Sequence, residues 1–254
     1  MRLTPSYPLA GGRKLILAVL LAVASACWVI VARQAAVPGR MSLTMGMNGP
    51  VFLAAWVAMM VAMMFPTAAP MILMFARVSA GKKQRGQAFV PTWVFVGAYL
   101  VTWTAFGALA YAVAIAAQDL SRHSTWVIDN AARFGGGILV VAGLYQLSPL
   151  KNLCLSKCRS PLNFILNGWH DGYVGALRMG LVHGAYCLGC CWLLFAILFP
   201  LGIMNLAAMA VITVLIFAEK SLPIGRELNR ASAVVLVGYG VLVALVPHLL
   251  PTVL

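Results

Sequence analysis

Four residues in one apolar stretch carry donors suited to soft-metal binding or electron exchange: His183, Cys187, Cys190 and Cys191. With Met179 they follow i, i+4, i+8 and i+11/i+12 spacing, which sets them roughly on one face of a helix. Between Met179 and Pro200 there is no Asp, Glu, Lys or Arg. Soft ligands placed where polar atoms are costly point to metal or redox chemistry. The plainer alternative is packing: free cysteine is often a small buried hydrophobe, and a lone intramembrane histidine can simply bond a carbonyl. Cys187-Leu188-Gly189-Cys190 is also a CxxC, the spacing of dithiol–disulfide exchange.

A second set of soft donors lies upstream. Met59, Met60, Met63 and Met64 are paired one helical turn apart, ahead of Pro66, and the run continues to Met71 and Met74. Met60, Met64, Met71 and Met74 share one face. Thioether sulfur is a soft, uncharged ligand that suits Cu(I) and binds hard cations poorly. Methionine also fills gaps in apolar cores, so the pattern by itself admits both roles. Met41, Met45 and Met47 precede this run and are expected at an outer entrance. A third set, Cys154 and Cys158, falls in a basic connecting segment with Lys151, Lys157 and Arg159. A short helix there would place both thiols on one side, and the three cations would favour the thiolate form.

These donors must be positioned by an overwhelmingly apolar chain. Of 254 residues, 63% are hydrophobic and 9% charged, with a mean hydropathy of +0.95. That composition defines an all-α polytopic membrane protein, a transmembrane helix bundle forming a single domain over residues 1–254. Seven spans are expected, at about 15–32, 51–76, 91–117, 134–147, 177–200, 202–218 and 231–250. The fourth is short; Gly135-Gly136-Gly137 would let it pack closely, and Ala131-Ala132 would extend it. A tight turn is expected after Pro200, at Leu201-Gly202.

Charge supplies the orientation. Fourteen of the 18 Lys and Arg fall in segments that share one side, and only Arg33, Arg40, Arg122 and Arg133 fall on the other. The positive-inside rule then puts the amino terminus in the cytoplasm and the carboxyl terminus outside, across a bacterial inner membrane. Arg13-Lys14 and Ala24-Ser25-Ala26-Cys27 loosely resemble a cleaved signal. The apolar run continues past Cys27, so the segment reads as a retained span. The net charge of +13 is explained by topology, and no nucleic-acid partner is expected.

No Ser–His–carboxylate set and no pair of intramembrane carboxylates is present, which excludes a serine-type intramembrane protease and a carboxylate-driven proton pump. Glu219-Lys220 reads as a boundary ion pair or a proton site, and His170 as a surface residue.

Three segments together resemble a known bacterial family: Met59–Pro66, the stretch Tyr145–Lys151 with Cys154 and Cys158-Arg159-Ser160-Pro161, and Gly180–Trp192. That family carries the label "predicted metal-binding integral membrane protein" and has no established function. The resemblance covers roughly residues 51–223 and implies membrane residence and metal binding. Near Gly168 the family has an arginine where this chain has His170, so His170 is not carried over as a ligand.

Taken together, the residues point to a protein that binds Cu(I), or another soft metal, for transport or for delivery to cuproprotein assembly. Its partners would be the lipid bilayer and a metallochaperone or membrane protein. No catalytic residue is assigned, and an enzyme is the less favoured class. Two alternatives stay open: a membrane thiol–disulfide oxidoreductase using Cys187 and Cys190, and a structural subunit of a membrane complex. A shared site would need the second and fifth spans to touch, with Met60 or Met64 facing Cys187 or Cys190 and Gly180, Gly184 and Gly189 permitting the approach.

Overall fold

The structure, a computed structural model, describes residues 8–37, 42–87 and 89–250. Arg2, Arg40 and Met41 lie outside them. All regular structure among the described residues is helical. The long helices are α1 (Pro8–Ala35), α2 (Gly49–Gln84) and α3 (Thr92–His123). After the short α4 (Thr125–Asp129) come α5 (Ala131–Gln146), α6 (Pro149–Arg159) and α7 (Pro161–Gly168). The chain ends with α8 (Gly172–Ala196), the single turn α9 (Leu198–Leu201), α10 (Leu206–Ser221) and α11 (Gly225–Leu245).

Local sequence explains the boundaries that matter for the site. Asn48 caps α2 by accepting from the Val51 N–H at 3.2 Å, with Pro50 in the first turn. The helix then runs unbroken through Pro66 and Pro70 and ends with Lys82 and Lys83 in its last turn, where cations suit the helix dipole. The turn expected after Pro200 is present. Gly202 takes a φ of 93°, and Asn205 then caps α10 by accepting from the Ala208 N–H at 3.1 Å.

Five helices are long and apolar enough to cross a membrane: 12–35, 49–84, 92–123, 172–201 and 225–245. They correspond to the first, second, third, fifth and seventh expected spans. The fourth corresponds to α5, which does start at Ala131 and is joined to α6 by a 62° bend; as one bent element the pair makes a sixth candidate. The expected sixth span is α10, whose 16 residues reach about 24 Å, short of a hydrocarbon core. Helix length thus supports five or six spans, below the seven expected.

Packing departs from expectation in one respect that shapes the site. α8 lies against α3 and α6, whereas α2 lies against α1, α3 and α10. The pair α2 and α8 is not among the closely packed ones. The α8 glycines admit other neighbours. A Cβ at Gly180 would stand 2.4 Å from the Phe95 carbonyl oxygen, and one at Gly184 2.5 Å from Thr102 Oγ1, both on α3. In contrast, the α5 glycines do what was expected: a Cβ at Gly136 would stand 2.7 Å from the Gly240 carbonyl oxygen of α11.

Candidate functional site

The site is assembled by the bend between α5 and α6. Ser148 caps α6 by accepting from the Lys151 N–H at 3.1 Å, and Pro149 occupies the first turn, where its missing N–H costs nothing. The helix that follows is buried at Lys151, Cys154 and Leu155 and lies along α8. Cys154 Sγ packs on Gly189, at 2.7 Å from where a Cβ would stand. Cys158, one turn further along α6, packs against the same core as Cys187 and Cys190 and lies near their thiols. The connecting segment and the apolar helix therefore contribute to one cluster, where the sequence suggested two separate stations.

Within that cluster the sulfurs differ. Cys190 and Cys191 donate to the Cys187 carbonyl one turn back, at 3.1 and 2.8 Å. Cys187 Sγ has strong partners of its own: Lys220 Nζ donates to it at 3.1 Å, and Tyr99 Oη lies 3.2 Å away. The Lys220 ammonium also lies 3.5 Å from Thr67 Oγ1 on α2, and that hydroxyl is 3.8 Å from Met64 Sδ. The methionine stripe and the cysteines are thus linked through a lysine of α10.

His183 sits one turn before Cys187 and is 3% exposed. Its ring stacks on Phe95 and Tyr99, at 5.8 and 5.5 Å between centroids, and meets the edge of Phe164 at 5.6 Å. Neither ring nitrogen has a hydrogen-bond partner. Buried polar groups are nearly always satisfied, so an imidazole with neither nitrogen bonded, one helical turn from Cys187, is unusual.

The remaining candidates are accounted for as follows. Met59, Met60, Met63 and Met64 are all fully buried. Met45 is fully buried too and Met47 nearly so; they form part of the core rather than an open mouth. His170 is exposed and turned to the Gly168 carbonyl and Arg178, away from the cluster. Among the described residues no three His, Cys, Asp or Glu side chains are gathered at metal-holding distances. The donors are neighbours without forming a ready coordination shell.

Two expectations about cations are corrected. Glu219 and Lys220 do not pair, because consecutive helical residues point about 100° apart. Glu219 meets Lys151, whose Nζ lies 2.7 Å from Oε2, while Lys220 turns to Cys187. Lys151 therefore does not serve the thiols of α6. Arg159 does not either, since it donates to the backbone carbonyls of Glu219 and Leu222 at 2.7 and 3.3 Å. Lys220, Tyr99 and Thr67 are site residues that sequence reasoning missed. Only Lys220 left a signal, as a cation closing an apolar run.

The fold is an all-helical bundle with helices apt to cross a membrane, and its buried thiols lie along α6 and α8 beside an imidazole with neither nitrogen bonded. The chain belongs to the PpoB2 copper chaperone family, whose model matches residues 53–243. No curated protein and no solved structure matches it.

Proposed function

We propose that this protein holds Cu(I) inside the bilayer at the Cys158–Cys187–Cys190 cluster and passes it on for cuproprotein assembly. The observation that carries this reading is the packing of α6 on α8, which brings the cysteines of α6 beside Gly189 and the α8 thiols in a chain of a copper chaperone family. Cu(I) favours few, soft ligands, and thiolates serve it best. Two thiolates around one Cu(I) carry a net charge of minus one. The Lys220 ammonium neutralises that charge in a medium where an unpaired ion is costly.

Roles follow from position. Cys187 and Cys190 are the primary ligands, and Cys158 exchanges with them at the junction with α6. Cys154 and Cys191 flank them, and His183 supplies a neutral nitrogen. Met60 and Met64, with Met59 and Met63, line the approach beyond Lys220. The basic end of the bundle faces the cytoplasm of a bacterial cell; counting the bent α5–α6 pair and the short α10 as crossings beside the five long helices gives seven, with the carboxyl terminus outside. A soluble metallochaperone or a membrane-embedded cuproprotein is the partner.

The test is metal retention. Protein purified under reducing conditions should hold Cu(I) against a competing chelator, and a Cys187→Ser/Cys190→Ser variant of unchanged helicity should not. A wild type that retains no copper or other soft metal overturns the reading. The Cys158–Cys187 contact also favours a second reading, a dithiol–disulfide cycle. Thiol trapping separates them: a copper-independent disulfide that cycles in the cell supports the second, and thiols that stay reduced but become protected by copper support the first. A phenotype left intact by alanine at Cys187, Cys190 and Cys191 together would leave only a structural role.

A further inference from the structure

A cavity with no cysteine in its lining opens between α6 and the first turns of α11. It measures about 630 Å³ and is lined by Arg159, Arg226 and Arg230 together with Asn152, Ser156 and Asn229. No carboxylate lines it. Arg226 and Arg230 stand one turn apart on the same face of α11, and neither forms an ion pair among the described residues. Arg159 spends its Nε and one Nη2 hydrogen on two carbonyls, which fixes its guanidinium at the rim and leaves Nη1 to meet a ligand, while Arg226 and Arg230 keep their forks free of ion pairs among the described residues. Three guanidinium groups without an acid between them make a site for an oxyanion, and the bidentate fork favours phosphate.

A second observation narrows the ligand. Asn229 is 5% exposed, and its Nδ2 donates to the Gln146 carbonyl at 2.5 Å. Its Oδ1, however, is buried without a partner. An acceptor without a donor, just behind the wall of a cationic cavity roomy enough for a phosphate and its headgroup alcohol, suits a ligand that brings a hydroxyl beside its phosphate and reaches Oδ1 once the overlying side chains give way. The surroundings supply the rest. Leu150 and Leu153 are exposed on α6, and so are Val234 and Val235 on α11. An acyl chain would lie on these side chains with its headgroup in the cavity.

We infer that this cavity binds the headgroup of an anionic glycerophospholipid of the phosphatidylglycerol type, with the phosphate on Arg159, Arg226 and Arg230 and a headgroup hydroxyl on Asn229 Oδ1. The site is separate from the copper cluster and does not depend on it.

The full-length protein in a neutral detergent is titrated with short-chain phosphatidylglycerol, short-chain phosphatidylcholine, phosphatidylmethanol and inorganic phosphate, and lipid retention is read by native mass spectrometry alongside the Tm. Phosphatidylglycerol should be retained and raise the Tm, and phosphatidylcholine should do neither. Arg226→Gln/Arg230→Gln, both at exposed positions, should bind phosphatidylglycerol at least about tenfold more weakly. Copper retention of that variant should be unchanged. Phosphatidylmethanol, which has the charge but no hydroxyl, should bind about fivefold more weakly to the wild type. Equal binding of phosphatidylglycerol and phosphatidylcholine overturns the proposal, and so does wild-type affinity in the arginine variant. Inorganic phosphate that reproduces the Tm shift and displaces the lipid refutes the lipid as the occupant.

Discussion

Glu219 and Lys220 are neighbours in α10, yet they belong to two polar clusters built on different terms. Glu219 enters a closed one. Lys151 is fully buried and pairs with Glu219 Oε2 at 2.7 Å, its ammonium also donating to Gln146 Oε1. Gln146 Nε2 donates in turn to Glu219 Oε1 at 3.2 Å and to Ser232 Oγ at 3.0 Å. Charge meets charge, and each member has a partner. Lys220 enters an open cluster. Its ammonium meets a thiol and a hydroxyl and no carboxylate, and His183 close by has two unpartnered nitrogens. The first arrangement ties α5, α6, α10 and α11 together. The second leaves a charge without a counter-ion and an imidazole with neither nitrogen bonded, close to thiols that could bind a cation.

The largest expected effect lies in the closed cluster. Glu219→Gln leaves the Lys151 ammonium buried without a counter-ion, and breaking a buried pair costs roughly 3–5 kcal/mol. Denaturant unfolding in detergent should show that loss, while the molecules that remain folded bind copper at the wild-type stoichiometry. A cost below about 1 kcal/mol would mean the network is solvated, and the contrast between the two clusters would collapse.

Next comes the open cluster. Lys220→Met removes the charge that would balance the proposed Cu(I) dithiolate and should weaken Cu(I) binding about 10- to 100-fold, or roughly 1.4–2.8 kcal/mol. Its effect on unfolding should be smaller than that of Glu219→Gln, since Cys187 can remain a neutral thiol. Lys220→Arg should restore most of the affinity. Tighter copper binding in Lys220→Met would identify the ammonium as a competitor of the metal and reverse the role assigned to it.

Much of this arrangement was legible in the sequence, and the failures share one cause. The helical class, the turn at Gly202, the close glycine packing of α5 and the clustering on α8 all follow from local composition and period. The short helix carrying Cys154 and Cys158 was legible too, from Ser148-Pro149 and the spacing of the thiols. Its direction was not. A 62° bend decides whether those thiols face the cytosol or return to α8, and no residue within the segment specifies that angle. What specifies it is the meeting of Lys151 with Glu219, 68 positions away. The same non-local pairing misled the reading of Glu219-Lys220, because each partner was sought in the wrong place. Tyr99 was invisible for a simpler reason: an aromatic residue in an apolar helix gives no sign that its hydroxyl will meet a sulfur.

A smaller effect tests how tightly α6 is tied to the open cluster. A Cβ at Gly189 would stand 2.7 Å from Cys154 Sγ, the free end of a side chain, and 3.5 Å from its Cβ. Gly189→Ala should push that thiol aside. The strain should nearly cancel the gain from replacing a helical glycine, leaving stability within about 1 kcal/mol of wild type. Cys154 should then alkylate faster while Cys187 does not. Equal acceleration at both thiols would mean that α6 lifts off as a unit, and that the cluster is held by the bend alone.

The smallest effect is a pH dependence at the surface, where neither kind of buried cluster operates. Lys82 at the end of α2 donates to Asp171 Oδ1 at 2.5 Å, and Trp169 Nε1 donates to the same oxygen at 2.8 Å. Lys82 also lies 5.3 Å from the centre of the Trp169 ring. The Lys82 hydrogen bond, and after it that of Trp169, holds the Asp171 carboxyl below its ordinary range. A lowered carboxyl favours the folded state at pH values above its ordinary range. That contribution disappears as the pH falls through the lowered value, where the folded protein also takes up the proton. Asp171 is exposed and its pair is screened by water and salt, so the contribution is slight. Asp171→Asn should therefore lower the Tm marginally at neutral pH and leave it unchanged in acid, and high salt should erase the difference. A large, salt-insensitive loss would mean that the α2–α8 junction is sealed from water, and that the bundle contains a third polar cluster of the closed kind.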